Sequence, residues 1–229
     1  QLPDAKTIYF WNLLGNLAAS GVSVLYLLIV TRLTSASIAD QFSLIWSIGT
    51  LWVVIGLFQV RNYHGTDVRQ NHSFIAYFQA RVLTIFVMLV TLFPYLKIVG
   101  GNRYTSSIIL MSFLMILYRA WDSISDLFQG LFQQRERMDI AGKTMFYRYS
   151  TSAVVLFLFL LLSRSLFVSL VALVLWNGLF ILIYELPFVY QFETFKWRDI
   201  FDTNYFPEVL SILKNCFPLF LLQHEHLYF

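Results

Sequence analysis

The sequence predicts an all-α polytopic membrane protein, with six transmembrane helices forming one bundle. Three observations carry that prediction. The chain of 229 residues is 58% hydrophobic and only 13% charged, whereas a soluble domain is nearer a quarter charged. Six apolar stretches are long enough to cross about 30 Å of hydrocarbon, which takes roughly 20 helical residues. Finally, Arg119, Asp122, Asp126, Gln129 and Gln133 recur at steps of three and four within one of those stretches. That spacing stacks all five on one helix face.

The expected spans are residues 7–31, 42–60, 81–96, 106–134, 144–163 and 166–190. The third is short and opens on Arg81, whose long stem lets a guanidinium reach the headgroups. The fifth and sixth are joined by Ser163, Arg164 and Ser165 alone, a tight hairpin. Pro94 and Pro187 mark helix ends or kinks. With the N-terminus on the cytoplasmic side, eleven Lys and Arg fall in cytoplasmic loops and four in the opposite ones, the usual positive-inside bias. Arg81 and Arg148 belong to that loop count, and Arg119 alone is left in the membrane. Residues 191–215 read as a cytoplasmic linker with an interfacial helix starting near Pro207, its apolar face made by Val209, Leu210, Leu213 and Phe217. Residues 216–229 read as the severed start of a seventh span. The chain opens on Gln1 without an initiator Met, which suggests a piece of a longer product.

Charge inside a bilayer costs about 2.5–3.5 kcal/mol per group at the helix centre on insertion scales, so the stripe is where function is sought. Arg119 and Asp122 can pair within the helix. Asp126 has no cation of its own there and needs a partner elsewhere, a proton or water. Ion pairing that merely locks helix packing is the plain role, yet three ionisable groups on one stripe exceed what packing requires. The first span offers a second polar face, Asn12, Asn16, Ser20 and Ser23, with Gly15 and Ala19 beside it. Small residues at this spacing allow close helix approach, and Asn side chains bond across helices. A helix seam and a substrate-lining wall are both open readings.

The loop containing Arg61, Asp67 and Arg69 is either a gate salt bridge or anionic-headgroup site, or simply a positive-inside loop. Gly142 fits a helix stop. His64, His72, His224 and His226 lack metal-ligand spacing and fit solvated loop positions, and the lone Cys216 excludes a cysteine metal cluster. The net charge of +3 and the lack of a basic, aromatic-interleaved patch argue against nucleic acid. Nucleophile-elbow, zincin, P-loop and Rossmann motifs are absent, so the expectation is no enzyme, no cofactor and no metal.

Three stretches resemble the Wzx-type polysaccharide flippases of the multidrug/oligosaccharidyl-lipid/polysaccharide exporter superfamily. They are Asn12 to Asn16 with the span to Leu33; Val60 to Val68; and Asp122 through Gln134 to Lys143. The resemblance implies one lobe of a two-lobe transporter, multi-pass in the bacterial cytoplasmic membrane. It implies translocation of an undecaprenyl-pyrophosphate-linked oligosaccharide for cell-surface polysaccharide, by alternating access. The partners it implies are the lipid bilayer, the lipid-linked glycan, and a missing C-terminal half or a second copy. On that reading Arg119 and Arg81 face the pyrophosphate, Asn12, Asn16 and Gln133 face the sugars, and Gln129 lies on the same substrate path. Asp122 or Asp126 holds a coupling ion, H+ or Na+. A drug exporter of the same superfamily and a non-transporting membrane scaffold are the alternatives, and the chain alone is expected to be inactive.

Overall fold

The computed structural model describes residues 3–101 and 103–225; Gln1, Leu2, Asn102 and residues 226–229, including His226 and the end of the expected seventh span, lie outside the described residues. Among these residues helix is the only regular secondary structure. The spans are α1 (Ala5–Leu33), α2 (Ala36–Leu57), α4 (Phe74–Gly100), α5 (Ser106–Gln134), α6 (Met138–Ser163), and α7 (Leu166–Phe180), which runs through a π-helical turn (Ile181–Glu185) into α8 (Leu186–Val189). A short α3 (Val60–Thr66) links α2 to α4, and α9 (Phe206–Glu225) follows two 3-10 turns. Six helices are therefore long and apolar enough to cross a membrane. The chain is an all-α polytopic membrane bundle. Its proximal end is defined here as the one where α1 begins, and its distal end carries the α1–α2, α4–α5 and α6–α7 turns.

Local chemistry sets the boundaries. Ser73 caps α4 by accepting the Ala76 N–H at 3.2 Å, an N-cap contact that starts the helix at Phe74. The third span thus begins a full two turns before Arg81, and Arg81 does not reach the headgroups: it lies within the helix and is 1% exposed. Phe58 and Gln59 both adopt left-handed backbone, which ends α2 and turns the chain into α3. Pro94 lies inside α4 without ending it, and Pro187 follows directly on the π-helical turn, inside the continuing helix. Thr105 and Ser165 cap α5 and α7 by accepting the Ile108 and Val168 amides.

Gly142 is no helix stop; it sits in the second turn of α6 and makes a close approach to α1. A Cβ there would lie 2.1 Å from the Trp11 carbonyl oxygen, and one on Gly15 would lie 2.5 Å from that of Gly142. The small-residue face of α1 is therefore a seam against α6. Its amides do not bond across that seam: Asn16 donates to the Asn12 side chain at 2.9 Å and to its carbonyl at 2.8 Å, because Asn16 is exposed with no polar group opposite.

Apolar packing divides by depth. Distally, Tyr26, Phe42, Ile45, Met115, Leu156 and Leu170 form a dry core shared by α1, α2, α5, α6 and α7. Proximally, Tyr77, Phe128, Phe132, Ile181 and Val189 form another, onto which α9 lays Val209, Ile212 and Cys216. Of the four residues expected to form the apolar face of an interfacial helix, Val209 is buried and Leu213 packs partly buried against this core, while Leu210 and Phe217 are half exposed. The helix continues unbroken across positions 215 and 216.

Alanine at Gly142 gains helix propensity of about 1 kcal/mol, but the clash with Trp11 forces α1 away from α6. Net destabilisation of about 1–3 kcal/mol is expected, read as a lower thermal midpoint in detergent; an unchanged or raised midpoint would contradict the seam.

Candidate functional site

Between these distal and proximal cores, and beside a third of Ile48, Met88, Leu92, Leu96, Ile116 and Ala120 where α2, α4 and α5 meet, α5 brings its stripe to the middle of the bundle. Arg119 and Asp122 are buried, and an isolated charge there would be prohibitively unfavourable. Asp122 is instead held between two guanidinium groups. Arg119 Nη1 donates to Oδ2 at 3.0 Å, and Arg148 Nη1 from α6 donates to Oδ1 at 2.5 Å. Arg119 is further fixed by α2: Nη2 donates to Thr50 Oγ1 at 3.0 Å, and its guanidinium lies 4.2 Å over the Trp46 ring, a cation–π contact. Arg148 reaches Asn177 Oδ1 at 3.3 Å on α7 and Glu185 Oε1 at 3.5 Å in the π-helical turn. Glu185 also accepts from Ser125 Oγ at 3.0 Å. One carboxylate thus joins four helices.

A second tier lies one turn toward the proximal end. Asp126 finds its partners outside α5: Arg81 Nη2 at 2.7 Å and Arg61 Nη1 at 3.5 Å. Arg81 Nη1 also donates to the carbonyls of Gly56 and Leu57, at 2.5 and 2.7 Å. Those carbonyls belong to the last turn of α2, which has no intrahelical donors left. Gln129 donates to Thr144 at 3.0 Å. Gln133 lies against Gly65 of α3, so close that a Cβ there would meet it at 2.8 Å.

The two tiers enclose a cavity of about 150 Å³ bounded by Arg61, Arg119, Asp122, Asp126, Gln129 and Arg148. Arg61 and Asp126 keep 28% and 19% of their side-chain surface, against 1% for Arg81 and 3% for Arg148. The cavity is therefore reached from the Arg61 side, at the proximal end. The buried Nε of Arg119, a residue of the cavity wall, makes no hydrogen bond among the described residues. Such a space is roomy and polar enough for a few waters, yet smaller than the ~300–1,000 Å³ of ordinary ligand pockets.

Arg119, Asp122, Asp126 and Gln129 of the stripe line the cavity and Gln133 does not, while Arg61 and Arg81 are brought to it through Asp126. Asn12 and Asn16 do not line the cavity. Arg148 and Glu185 escape sequence reasoning, as does Asn177. Arg148 is no loop charge, because α6 begins at Met138 and carries it three turns in. Glu185 does announce itself as the lone acid in the sixth apolar span. With Arg81 and Arg148 inside helices, the loop charge count behind the expected orientation loses two members.

The proximal loop is built differently from the expected gate. Arg61 turns to Asp126, Arg69 is exposed, and Asp67 is buried away from both. Asp67 accepts from the Asn71 and His72 amides at 3.0 and 3.2 Å and from the Tyr77 hydroxyl at 2.9 Å. Burial pushes its carboxyl up, but those three donors outweigh burial and hold it below the ordinary carboxylate value. His64 is not solvated: it is 1% exposed and stacks on Tyr77 at 4.1 Å. Burial pushes its imidazole down to about 3, against a smaller upward pull from Asp67. Helix α9 is pinned to this loop, with Glu208 accepting from the Ser73 amide and hydroxyl at 2.8 and 2.9 Å. His72 meets Ser211 at 3.2 Å. Among the described residues no three His, Cys, Asp or Glu side chains gather as a metal site would require. No family model, no curated protein and no solved structure matches the chain.

Two outcomes follow from this geometry. Asp122→Ala strands two buried guanidinium groups, for which about 3–5 kcal/mol is the usual loss. Combining it with Arg148→Met recovers part of that loss in denaturation in detergent, and strictly additive losses would contradict the pairing. The His64 contribution to stability is complete above the ordinary histidine value of 6.5 and shrinks as pH falls from there toward 3, because the unfolded chain takes up a proton that the folded one refuses. A thermal midpoint followed over that window should fall with pH, and His64→Phe, which keeps the stack, should flatten the slope.

Proposed function

We propose that this chain forms one wall of a translocation path for an anionic lipid-linked oligosaccharide, of the undecaprenyl-pyrophosphate type, across a bacterial cytoplasmic membrane. The observation that carries this reading is Asp122 held between Arg119 and Arg148 on the wall of a polar cavity at mid-bundle depth. Four guanidinium groups, of Arg61, Arg81, Arg119 and Arg148, face three carboxyl groups, of Asp122, Asp126 and Glu185. That excess suits a pyrophosphate and disfavours a cationic drug. Arginine presents fork-shaped donors that match phosphate oxygens, and the amide of Gln129 supplies a hydroxyl partner. The reading involves transport and no chemical conversion.

The N-terminus faces the cytoplasm in this proposal, so the accessible Arg61 side is where a headgroup enters. A cavity of this size holds part of a sugar-pyrophosphate at most, and its partly exposed polar rim is unfavourable against lipid. We infer that a second bundle, supplied by a C-terminal half or by another copy, completes it. A coupling proton or sodium ion at Asp122 or Asp126 would compete with a guanidinium already seated there. A scaffold role is the second reading, favoured by the observation that both aspartates already have two cationic partners.

Binding of a fluorescent undecaprenyl-pyrophosphate oligosaccharide to the chain in nanodiscs separates the two. Transport predicts that Arg119→Ala weakens binding by on the order of tenfold, about 1.4 kcal/mol, with the helical content intact. Binding that is unchanged in the folded variant would sink the transport reading. In vesicles the chain alone should bind the lipid without moving its headgroup above background.

A further inference from the structure

On the far side of α6 from the charged cavity lies a separate trough of about 490 Å³ between α6 and the α7 span. Its floor and walls are aromatic and aliphatic: Tyr147, Trp176, Phe180, Ile183 and Tyr184, with Lys143 at one end. The rings interlock. Tyr147 meets Tyr184 edge-on at 6.0 Å, and Phe180 lies 5.0 Å from Tyr184. At the deep end Trp176 Nε1 donates to Thr151 Oγ1 at 3.0 Å, so the tryptophan N–H is satisfied and the trough ends in an apolar ring.

The trough runs along a membrane span, and its depth can be read from the helix. Lys143, Tyr147 and Thr151 are successive turns of α6, about 12 Å in all at ~1.5 Å per residue. Lys143 is in the second turn from the proximal end, and Thr151 is near the middle of the helix. A cation at headgroup level above an apolar slot that reaches toward the bilayer centre is complementary to an acidic lipid. The Lys143 ammonium lies 5.6 Å over the Trp11 ring, and among the described residues no carboxylate pairs with it. Every other buried or half-buried cation of the bundle interior is already engaged by an acid: Arg61, Arg81, Arg119 and Arg148 all are.

We propose that this trough is a binding site for an anionic phospholipid of the bilayer, with one acyl chain against Trp176 and Phe180 and the phosphodiester on Lys143. The single ammonium matches the single charge of a phosphodiester, whereas a pyrophosphate calls for several donors. Two helical turns of slot suit part of an acyl chain, and a long polyprenyl chain would run well past Thr151. This site is independent of the translocation reading and shares no residue with the charged cavity.

Native mass spectrometry of the whole chain, released from detergent with phosphatidylglycerol or phosphatidylcholine of identical chains, tests the assignment. Phosphatidylglycerol should be retained preferentially. Lys143→Gln should remove about fivefold of that preference, the worth of one lysine near an anionic membrane surface, while retention of phosphatidylcholine stays as it was. Ile183→Trp, which fills the slot from an exposed position, should lower retention of both lipids. Equal retention of the two lipids by the unaltered chain, or a preference untouched by Lys143→Gln, would overturn the proposal. So would displacement of phosphatidylglycerol by an equimolar polyprenyl pyrophosphate, which would give the trough to a substrate chain instead.

Discussion

A charge held within a membrane bundle must have its countercharge delivered by a neighbouring helix, and Asp122 is where this bundle meets that demand. Its two oxygens are taken by guanidinium groups from α5 itself and from α6. Each of those arginines then carries the constraint outward, Arg119 to Thr50 and Trp46 of α2 and Arg148 to Asn177 and Glu185 of the α7 span. Removing water from these groups is costly, and the attraction between them offsets that cost only when geometry and secondary hydrogen bonds are good. The positions of α2, α6 and α7 around α5 therefore follow from one carboxylate. Apolar packing alone would leave them free to slide, because lipid chains are as apolar as Leu.

The Asp126 tier solves the same problem with a different element. Arg81 satisfies the carbonyls at the end of α2 as well as Asp126, so one side chain serves as both helix cap and ion-pair partner. This explains why α2 can end in the interior of the structure on two left-handed residues, Phe58 and Gln59, without orphaned carbonyls. It also explains the depth of Arg81 in α4. A guanidinium at the lipid headgroups could not reach Gly56.

Much of this architecture is legible in the amino-acid order. The run from Ser106 to Gln134 has both its ends and its polar face written in it, because Thr105 is a cap, the 3-4 spacing is unbroken, and nothing else explains five polar groups there. The Gly15 seam is legible too, though its partner Gly142 is not: a glycine near a charged turn reads equally as a stop or as a contact, and only the Trp11 backbone across the gap decides. Span starts are where reading fails. Tyr77 and Gln79 before Arg81, and Met138 to Lys143 before Thr144, look too polar for a helix that enters a membrane. In both cases the polar residues are engaged by other parts of the chain: Tyr77 by His64 of α3 and by Asp67, Gln79 by the Asp199 and Asp202 carbonyls, and Lys143 by the Trp11 ring of α1. That tertiary context carries Arg81 and Arg148 from expected loops into the interior. His64 is misread for the same reason, since no local signal shows that Tyr77 will cover it.

The difference between the two tiers gives the site a direction. Arg148 and Asp122 are almost fully withdrawn from the surface, so exchanging either partner for an anion means opening a pair in a dry setting where attraction is strong. Arg61 and Asp126 sit 3.5 Å apart with appreciable exposure, where the same exchange is screened by water and costs less. An anionic group arriving at the proximal end would thus meet Arg61 first, release it from Asp126 at small cost, and only then compete for Arg119 and Arg148. For the proposed translocation path, an outer pair that opens easily and an inner pair that resists would admit a headgroup without letting small ions run through. Arg61 and Asp126 are therefore the threshold of the transport reading, and the clamp on Asp122 is its barrier.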